Sequence, residues 1–387
     1  MAESGKLRPI PLARPAVGED EIRAAEQVMR SGWLVTGPRC AEFEQRLASI
    51  TGRAHAVCVS SGTTALELAL WALAERDAER DATTSPREIV VPAAGFPAGV
   101  NAALRIGARV VAADVDPATW TMTAEAVEAV ISEHTWAIIS VDTFGIMADS
   151  RPPEALAKER GLYLVDDAAC ALGALDQYGT GGGNYGQLAT FSFHPRKLIT
   201  TGEGGAVVCD DDQLADCLRQ LRNQGQAERG RFIRPGTNAR LGEMAAAIGI
   251  CQLERLHGFL SERRLLVRGY HERLAGLAAA GLLSWQTWPE SARPAHQTFA
   301  LLLADALPSG RDRDGVRAFM KERGIETGVA SFALDRLQLC RAMPWFGKAR
   351  FPVAERLHDH GLALPLYAGM RSADLDRIAD ALAEAVS

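Results

Sequence analysis

The sequence predicts an α/β fold, with a large domain built on a mostly parallel sheet of about seven strands flanked by helices, and a smaller C-terminal α+β domain. The chain has 387 residues, about two to three times the usual size of one domain. Up to about residue 209, short β-rich segments alternate with helical ones, which is typical of a parallel sheet covered on both faces. After about residue 210 helical spacing dominates.

Seven segments rich in β-branched and other apolar residues are the predicted strands. They cover residues 56–60, 88–92, 109–114, 137–141, 162–166, 188–193 and 205–209. Helices are predicted where apolar residues recur at three- and four-residue spacing, at residues 63–74, 123–132, 153–160, 211–223 and 242–255. The charged segment 75–86 is predicted to be an exposed insertion after the first of these helices.

The remaining elements predict a second domain. A long helical stretch, 256–280, leads out of the large domain, and a strand at 298–304, a helix at 314–323 and a closing helix at 372–386 follow. We therefore predict a large domain over residues 1–255, including the N-terminal segment, and a small domain over residues 256–387.

Composition excludes several classes of protein. A formal net charge of −6 disfavours nucleic acids as partners, because phosphate backbones need clustered Lys and Arg. The seven cysteines are scattered without a C-x-x-C pair, so neither disulfides nor a metal site is expected. With no apolar segment of signal-peptide or membrane-span length, we expect no membrane association and a cytoplasmic location.

The segment Ser60-Ser61-Gly62-Thr63-Thr64 follows a predicted strand and opens a predicted helix. Free backbone N–H groups and the helix dipole favour a phosphate at such a place, and the hydroxyls add donors. An ordinary helix cap would have the same sequence.

Asp166 and Asp167 end a second predicted strand, at the edge of the sheet where ligands bind in α/β proteins. A buried carboxylate needs a cationic partner. The protonated pyridine nitrogen of pyridoxal phosphate (PLP) is one such partner, since the carboxylate keeps the ring an electron sink. A helix-capping aspartate is the alternative.

Lys197 follows the strand-like segment Phe191-Ser192-Phe193 and precedes a glycine-rich turn. Of the 42 Lys and Arg residues only five are lysines, so a lysine here departs from the habit of the chain. Arginine keeps its proton, whereas a desolvated lysine can become neutral and form a Schiff base with an aldehyde. A surface lysine is the alternative.

These three features occur in the order that a fold type I PLP enzyme requires, and at this point the chain resembles the DegT/DnrJ/StrS family of PLP-dependent sugar aminotransferases. The resemblance extends from about residue 28 to about residue 256. It implies a fold type I PLP-transferase that uses PLP and acts as a homodimer with its active site shared between subunits. The implied roles are these: Lys197 forms the Schiff base and moves the proton, Asp167 binds the pyridine nitrogen, Phe96 stacks on the ring, Cys170 lies near the phenolic oxygen, Gly62, Thr63 and Ser192 bind the phosphate, and Asn238 reaches the phosphate in the partner subunit.

The sequence departs from the family at several places near these residues. Family members usually carry Gln or His at the position of Cys170, often Thr at that of Arg196, and often His at that of Asp142. The segments 92–97 and 324–332 lack the polar residues, including a His and a Tyr, that the family has in its substrate loops. Since such loops choose the acceptor, a cyclitol ketone or another secondary-metabolite sugar is an alternative to a nucleotide-linked keto sugar.

The resemblance implies transamination of a keto sugar with glutamate or glutamine as amino donor, giving an amino sugar for antibiotic or surface-glycan biosynthesis. Two alternatives stay open on the sequence. A PLP sugar dehydratase of the same fold would lack the lysine, so Lys197 disfavours it. A regulatory, non-catalytic member would keep the fold, and the substituted positions 142 and 170 keep that interpretation open.

Overall fold

A computed structural model describes residues 8–78, 87–147, 149–346 and 349–387. The described helices are α1 Glu19–Ser31, α2 Pro38–Thr51, α3 Gly62–Ala78, α4 Ala98–Arg105, α5 Ala124–Glu128, α6 Arg151–Glu159, α7 Asp212–Leu221, α8 Glu243–Ala279, α9 Arg313–Glu322, α10 Gln338–Arg341, α11 Pro352–His360 and α12 Ser372–Val386. The described strands are β1 His55–Val59, β2 Glu88–Pro92, β3 Arg109–Ala113, β4 Thr135–Val141, β5 Tyr163–Asp167, β6 Leu188–Ser192, β7 Gly205–Cys209, β8 Gln226–Glu228, β9 Arg231–Phe232, β10 Leu283–Trp285, β11 Phe299–Leu303, β12 Gly328–Val329 and β13 Gly361–Leu364.

The predicted large sheet is confirmed. Its seven strands lie in the order β1-β7-β6-β5-β4-β2-β3, and all seven were predicted within two residues of their bounds. Only β7 runs against its neighbours, pairing antiparallel with both β1 and β6. The strands are apolar along almost their whole length because helices cover both faces of the sheet.

Helix α3 lies at the centre of the layer on one face of the sheet. It is apolar on most sides, and the alanines and leucines between Ala65 and Leu73 are buried against strands and against α4 and α7. A helix without a polar face is stable only when it is enclosed. This enclosure fixes the position of its N-terminus, Gly62, at the carboxyl end of the sheet. The opposite face is covered by α2, α6 and α8.

The C-terminal part contains a four-stranded antiparallel sheet in the order β10-β11-β13-β12. It packs with α9 and α12 around a core of its own. Ile10, near the N-terminus, belongs to this core and pairs with Ile325. The predicted domain division at residues 255 and 256 falls inside α8, which continues unbroken for 37 residues. The division itself stays a prediction.

The prediction of an exposed insertion at residues 75–86 is wrong for residues 75–78. Residues 75–78 form the last turn of α3, where Asp77 accepts hydrogen bonds from Trp136 Nε1 at 2.6 Å and from the Tyr163 hydroxyl at 2.7 Å. These contacts explain why a charged segment is ordered here. The rest of the prediction, residues 79–86, lies outside the described residues. Across the described ranges, no helix combines the length and the apolar character that a membrane crossing requires.

Candidate active site

A cavity of about 530 Å³ opens at the carboxyl ends of β2, β4, β5 and β6. Four residues that the sequence singled out, Thr63, Asp167, Ser192 and Lys197, line this one cavity. They come from three separate segments of the chain, which the parallel sheet brings together by aligning its strand ends. Gly62, Phe96 and Cys170 also line it.

One end of the cavity is formed by the N-terminus of α3. The N–H groups of Gly62 and Thr63 lie in the first helical turn, where no preceding turn supplies acceptors. The N–H of Thr64 is instead bonded to Ser61 Oγ at 3.1 Å, which caps the helix. The helix cap that the sequence left as an alternative is present, and it does not use the N–H groups of Gly62 and Thr63, so an anion site on these groups stays a prediction.

Two glycines create this geometry. A Cβ on Gly62 would lie 2.6 Å from the Cβ of Ser192, so only glycine lets the Ser192 side chain approach the start of the helix. A Cβ on Gly205, which pairs with Ser192 across the sheet, would lie 2.4 Å from the carbonyl oxygen of Ser61. The result is a cradle of N–H groups and hydroxyls with the size and chemistry of a phosphate site.

Asp167 lies on the cavity side of the end of β5. Burial raises the pKa of its carboxyl, while the charge of Lys197 and the N–H of Ala169, bonded to Oδ1 at 3.1 Å, lower it. Burial is the largest of these effects. A half-buried carboxylate in this position favours a cationic group in the cavity.

Lys197 lies beside Cys170 at the base of the cavity. Its Nζ donates to the Cys170 Sγ at 3.2 Å, and its backbone N–H donates to the carbonyl oxygen of His194 at 2.8 Å. The side chain is only partly exposed. The amine is therefore held by a weakly polar sulfur in a partly buried place.

Behind Asp167, on the other face of the sheet, lie two buried carboxyl groups, Asp142 and Asp166. Burial raises the pKa of Asp166 to about 7, against a hydrogen bond from Ser140 that lowers it. Burial and the charges of Asp166 and Asp167 raise the pKa of Asp142 well above its ordinary value. Each has one oxygen, Oδ2, without a hydrogen-bond partner among the residues that the structure describes.

Phe96 and Asn238 are two of the predicted site residues whose side chains are exposed. Phe96 lines the cavity and is 75% exposed, so its ring is free to cover a planar ligand. Asn238 is exposed and does not line the cavity. Its backbone bridges to Asn223, just after α7, and its reach to the phosphate in a partner subunit stays a prediction.

Gln297 is a cavity residue that sequence reasoning missed. It lies between α8 and β11 and accepts a hydrogen bond from the Cys170 thiol at its Oε1, with a Sγ–Oε1 distance of 3.4 Å. No motif surrounds it in the sequence, and its place in the site arises from the packing of distant segments. Across the described ranges, no group of three or more His, Cys, Asp or Glu side chains could hold a metal ion.

These groups fit pyridoxal phosphate. The cradle at Gly62 and Ser192 offers donors to a phosphate, the Asp167 carboxylate offers a partner to a pyridinium, and Lys197 offers an amine to an aldehyde. All three belong to one cavity, as a single ligand with those three groups requires.

Comparison with known proteins agrees with this fit. The model of the DegT/DnrJ/EryC1/StrS aminotransferase family matches residues 15–383. DesV of S. venezuelae, solved in complex with a ketimine intermediate, is 29% identical over 98% of both chains, with a TM-score of 0.86. DesI, solved in the presence of its TDP-sugar product, is 30% identical over 97% of this chain and 92% of DesI, with a TM-score of 0.86.

Spr1654 from Streptococcus pneumoniae, described as a candidate sugar aminotransferase, was solved in its PMP form. It is 25% identical over 98% of both chains, with a TM-score of 0.87. The same protein was also solved in apo and PLP forms.

Proposed function

This chain belongs to the DegT/DnrJ/EryC1/StrS aminotransferase family, and from that membership we propose that it aminates a keto sugar or a related cyclitol ketone with glutamate or glutamine as donor. It is a PLP-dependent aminotransferase. The observation that supports the assignment of its site is the single cavity shared by Lys197, Asp167 and the N-terminus of α3.

The cofactor supplies an aldehyde that accepts the amino group and a ring that stabilises negative charge at the reacting carbon. The residues of the chain do the rest. When the cofactor is bound, the first-turn N–H groups of α3 and the Ser192 hydroxyl would hold its phosphate, and Asp167 would keep its pyridine nitrogen protonated. Lys197 Nζ would hold its aldehyde and, as a free amine, would move a proton to and from the reacting carbon.

Lysine is the residue that this role requires. The amine has to give up its charge in order to bind an aldehyde and to accept a proton, which arginine does not do. The hydrogen bond of Lys197 Nζ goes to the Cys170 sulfur, while the charge of Lys197 also acts on the Asp167 carboxyl of the same cavity and lowers its pKa. A sugar dehydratase of the same fold, which lacks this lysine, is accordingly disfavoured.

One wall of the cavity bears on which acceptor the enzyme binds. Segments 93–96 and 329–334 face each other there, and their backbones are bonded together: Gly95 N–H to Phe332 O at 2.9 Å, and Leu334 N–H to Ala93 O at 2.8 Å. Val329, Ala330 and Phe332 line the cavity. Because these backbone groups are already paired and the side chains are mostly apolar, we expect the part of the acceptor that contacts this wall to carry few hydroxyls.

Further parts of the proposal concern the donor and the setting of the enzyme. Arg196 lines the cavity and is exposed, which supports a donor that carries carboxylates. We place the product, an amino sugar, in antibiotic or surface-glycan biosynthesis and the enzyme in the cytoplasm as a homodimer. The exposed position of Asn238 supports its predicted reach to the phosphate in the partner subunit.

The test is spectroscopic and chemical. The protein loaded with PLP is expected to show a violet absorption band that bleaches on addition of glutamate or glutamine, with release of the 2-oxo acid. A panel of keto sugars and cyclitol ketones, nucleotide-linked and free, is then added to the aminated form, and mass spectrometry identifies the amine. A band that no amino acid bleaches would contradict the proposed transamination. Amination of none of the sugar or cyclitol ketones would contradict the acceptor class.

A further inference from the structure

The surroundings of Lys197 include a residue of the C-terminal part of the chain, Gln297, which the reaction above does not use. Its side chain lies between the lysine's sulfur partner and the lysine's own backbone. The Oε1 accepts from Cys170 Sγ at 3.4 Å, and the Nε2 donates to the carbonyl oxygen of Arg196 at 2.7 Å. One amide group is therefore bonded both to the Cys170 thiol, which contacts the Lys197 amine, and to the carbonyl of Arg196, the residue directly before Lys197.

Gln297 is itself held firmly. Its backbone N–H donates to the Phe144 carbonyl oxygen at 2.8 Å, and its backbone oxygen accepts from Arg263 Nη1 at 2.7 Å. The Thr298 hydroxyl donates to its Oε1 at 2.9 Å. With backbone and side chain both fixed, the amide group has little freedom to leave Cys170.

The turn that carries Phe144 explains how these segments approach each other. Gly145 has a φ of +84°, and a Cβ on it would lie 2.5 Å from the Cys170 carbonyl oxygen and 3.2 Å from the Gln297 nitrogen. Glycine is therefore needed for this turn to fit between Cys170 and Gln297. The Gly145 carbonyl oxygen also accepts from the N–H of Ala295 at 2.9 Å, so the segment before β11 is bonded to the turn at two points.

The backbone of the segment that carries Gln297 is also bonded to a buried arginine. Arg263 on α8 is buried, and burial lowers its pKa to about 10. Its Nη1 also donates to the His296 carbonyl oxygen at 2.9 Å. A buried guanidinium bonded to two adjacent carbonyl oxygens fixes the start of the segment that carries Gln297.

We propose that Gln297 is a positioning residue for Lys197: it holds the Cys170 thiol against the lysine amine and anchors the backbone at Arg196. The role in catalysis rests on the proposed function. Gln297 joins the packing of the C-terminal part to the orientation of the reactive amine, because its own position depends on Arg263 of α8 and on the segment that enters β11.

The first test needs neither cofactor nor activity. Cys170 and Cys251 are the two cysteines that are not buried, so alkylation of Cys251 serves as an internal reference. In the apoprotein, Gln297→Met is expected to raise the ratio of Cys170 to Cys251 alkylation several-fold, as measured by peptide mass spectrometry. The matched control is Gln286→Met, which removes a buried amide bonded to Thr119 and Thr143 without touching Cys170. An unchanged ratio in Gln297→Met would overturn the proposal.

The second test separates positioning from a general loss of structure. With PLP bound, Gln297→Met is expected to lower kcat about tenfold with a smaller change in the KM for the amino donor, since a small misplacement of a reacting group slows the chemical step. In a Cys170→Ala background the same substitution should lower kcat by a smaller factor, because the contact of Gln297 with the Cys170 thiol is already absent. Full additivity of the two effects, or a change in KM alone, would contradict the role assigned to Gln297.

Two controls keep the outcomes distinguishable. Circular dichroism and the thermal midpoint report folding. If Gln297→Met does not fold, Gln297→Asn replaces it, because asparagine keeps the amide oxygen and nitrogen on a side chain that is one carbon shorter. If the wild-type protein does not transaminate at all, the proposed function fails, whereas the alkylation ratio still decides whether Gln297 holds Cys170.

Discussion

At the scale of single residues, Asp166 has the clearest pH dependence. Burial raises its pKa to about 7 from an ordinary value of 3.8, so between these values the folded chain keeps a proton that the unfolded chain releases. The contribution of Asp166 to the free energy of unfolding therefore falls by up to ~1.4 kcal/mol per pH unit as pH rises through this window, and falls no further above it.

Asp166→Asn removes this titration. The free energy of unfolding is measured by urea denaturation of the apoprotein. The value for the variant minus the value for the wild type is expected to increase as pH rises from about 4 to about 7. The control is Asp305→Asn, whose exposed carboxylate pairs with Arg356 at the surface. A difference between variant and wild type that stays constant across the window would show that folding does not raise the pKa of Asp166.

The cavity residues with a proposed chemical role could be found in the sequence, whereas Gln297, which we propose to position one of them, could not. Lys197, Asp167 and Ser192 stand in local patterns at strand ends, and such patterns can be recognised in a sequence because a strand end faces the ligand side of a parallel sheet. Gln297 reaches the same cavity through backbone bonds to Phe144 and Arg263, which lie far from it in the sequence. No local pattern records such contacts.

At the scale of elements, the start of α3 is the proposed binding site of the cofactor's phosphate. Gly62→Ala would place a Cβ 2.6 Å from that of Ser192, which requires the strand end or the helix start to move. We expect PLP affinity to fall about tenfold or more, corresponding to ~1.4 kcal/mol, when it is measured by fluorescence titration of the apoprotein.

Gly99→Ala is the matched control for this change. Gly99 also lies in a helix that lines the cavity, but a Cβ there would meet Ile139 and Val91 at 3.5 Å or more, which is ordinary contact. Its affinity for PLP should stay near that of the wild type. Equal affinities for Gly62→Ala and the wild type would mean that the phosphate does not bind at this helix start.

The strands of the large sheet were predictable because buried parallel strands are continuous apolar segments between turns. Short elements of the C-terminal part, such as β10 and β12, were not, since two or three residues give no period. Helix α8 was predicted in two pieces. Its 37 residues change partners, from α1 and α2 to α12, so the apolar face shifts along the helix and the pattern breaks.

At the scale of the whole molecule, the proposed homodimer places Asn238 of one chain at the phosphate of the other. A surface patch near the start of α8, the Trp33 patch, is exposed and apolar, and consists of Met29, Trp33, Leu34, Val35 and Met244. Exposed apolar patches of this kind favour a protein interface. Glu243 N–H donates to the Leu34 carbonyl oxygen at 3.2 Å, which keeps the two segments of the patch together.

Subunit complementation tests the shared site. Lys197→Ala and Asn238→Asp proteins are each expected to be nearly inactive, because one lacks the amine and the other places a carboxylate against the phosphate. After unfolding and refolding together, about a quarter of the sites should combine an intact Lys197 with an intact Asn238 from opposite chains, and activity should return to about that level. No recovery in mixtures shown to contain heterodimers would contradict a site shared in this way.

The central claim is that Lys197 carries the cofactor, and chemical trapping tests it most directly. The holoprotein is reduced with borohydride, digested, and the pyridoxyl-modified peptide is identified by mass spectrometry. We expect the modification on Lys197, its loss in Lys197→Ala, and its retention in Lys158→Ala, which removes an exposed lysine of α6. Modification of a different lysine in the wild-type protein, or full retention of the covalent adduct in Lys197→Ala, would contradict the account.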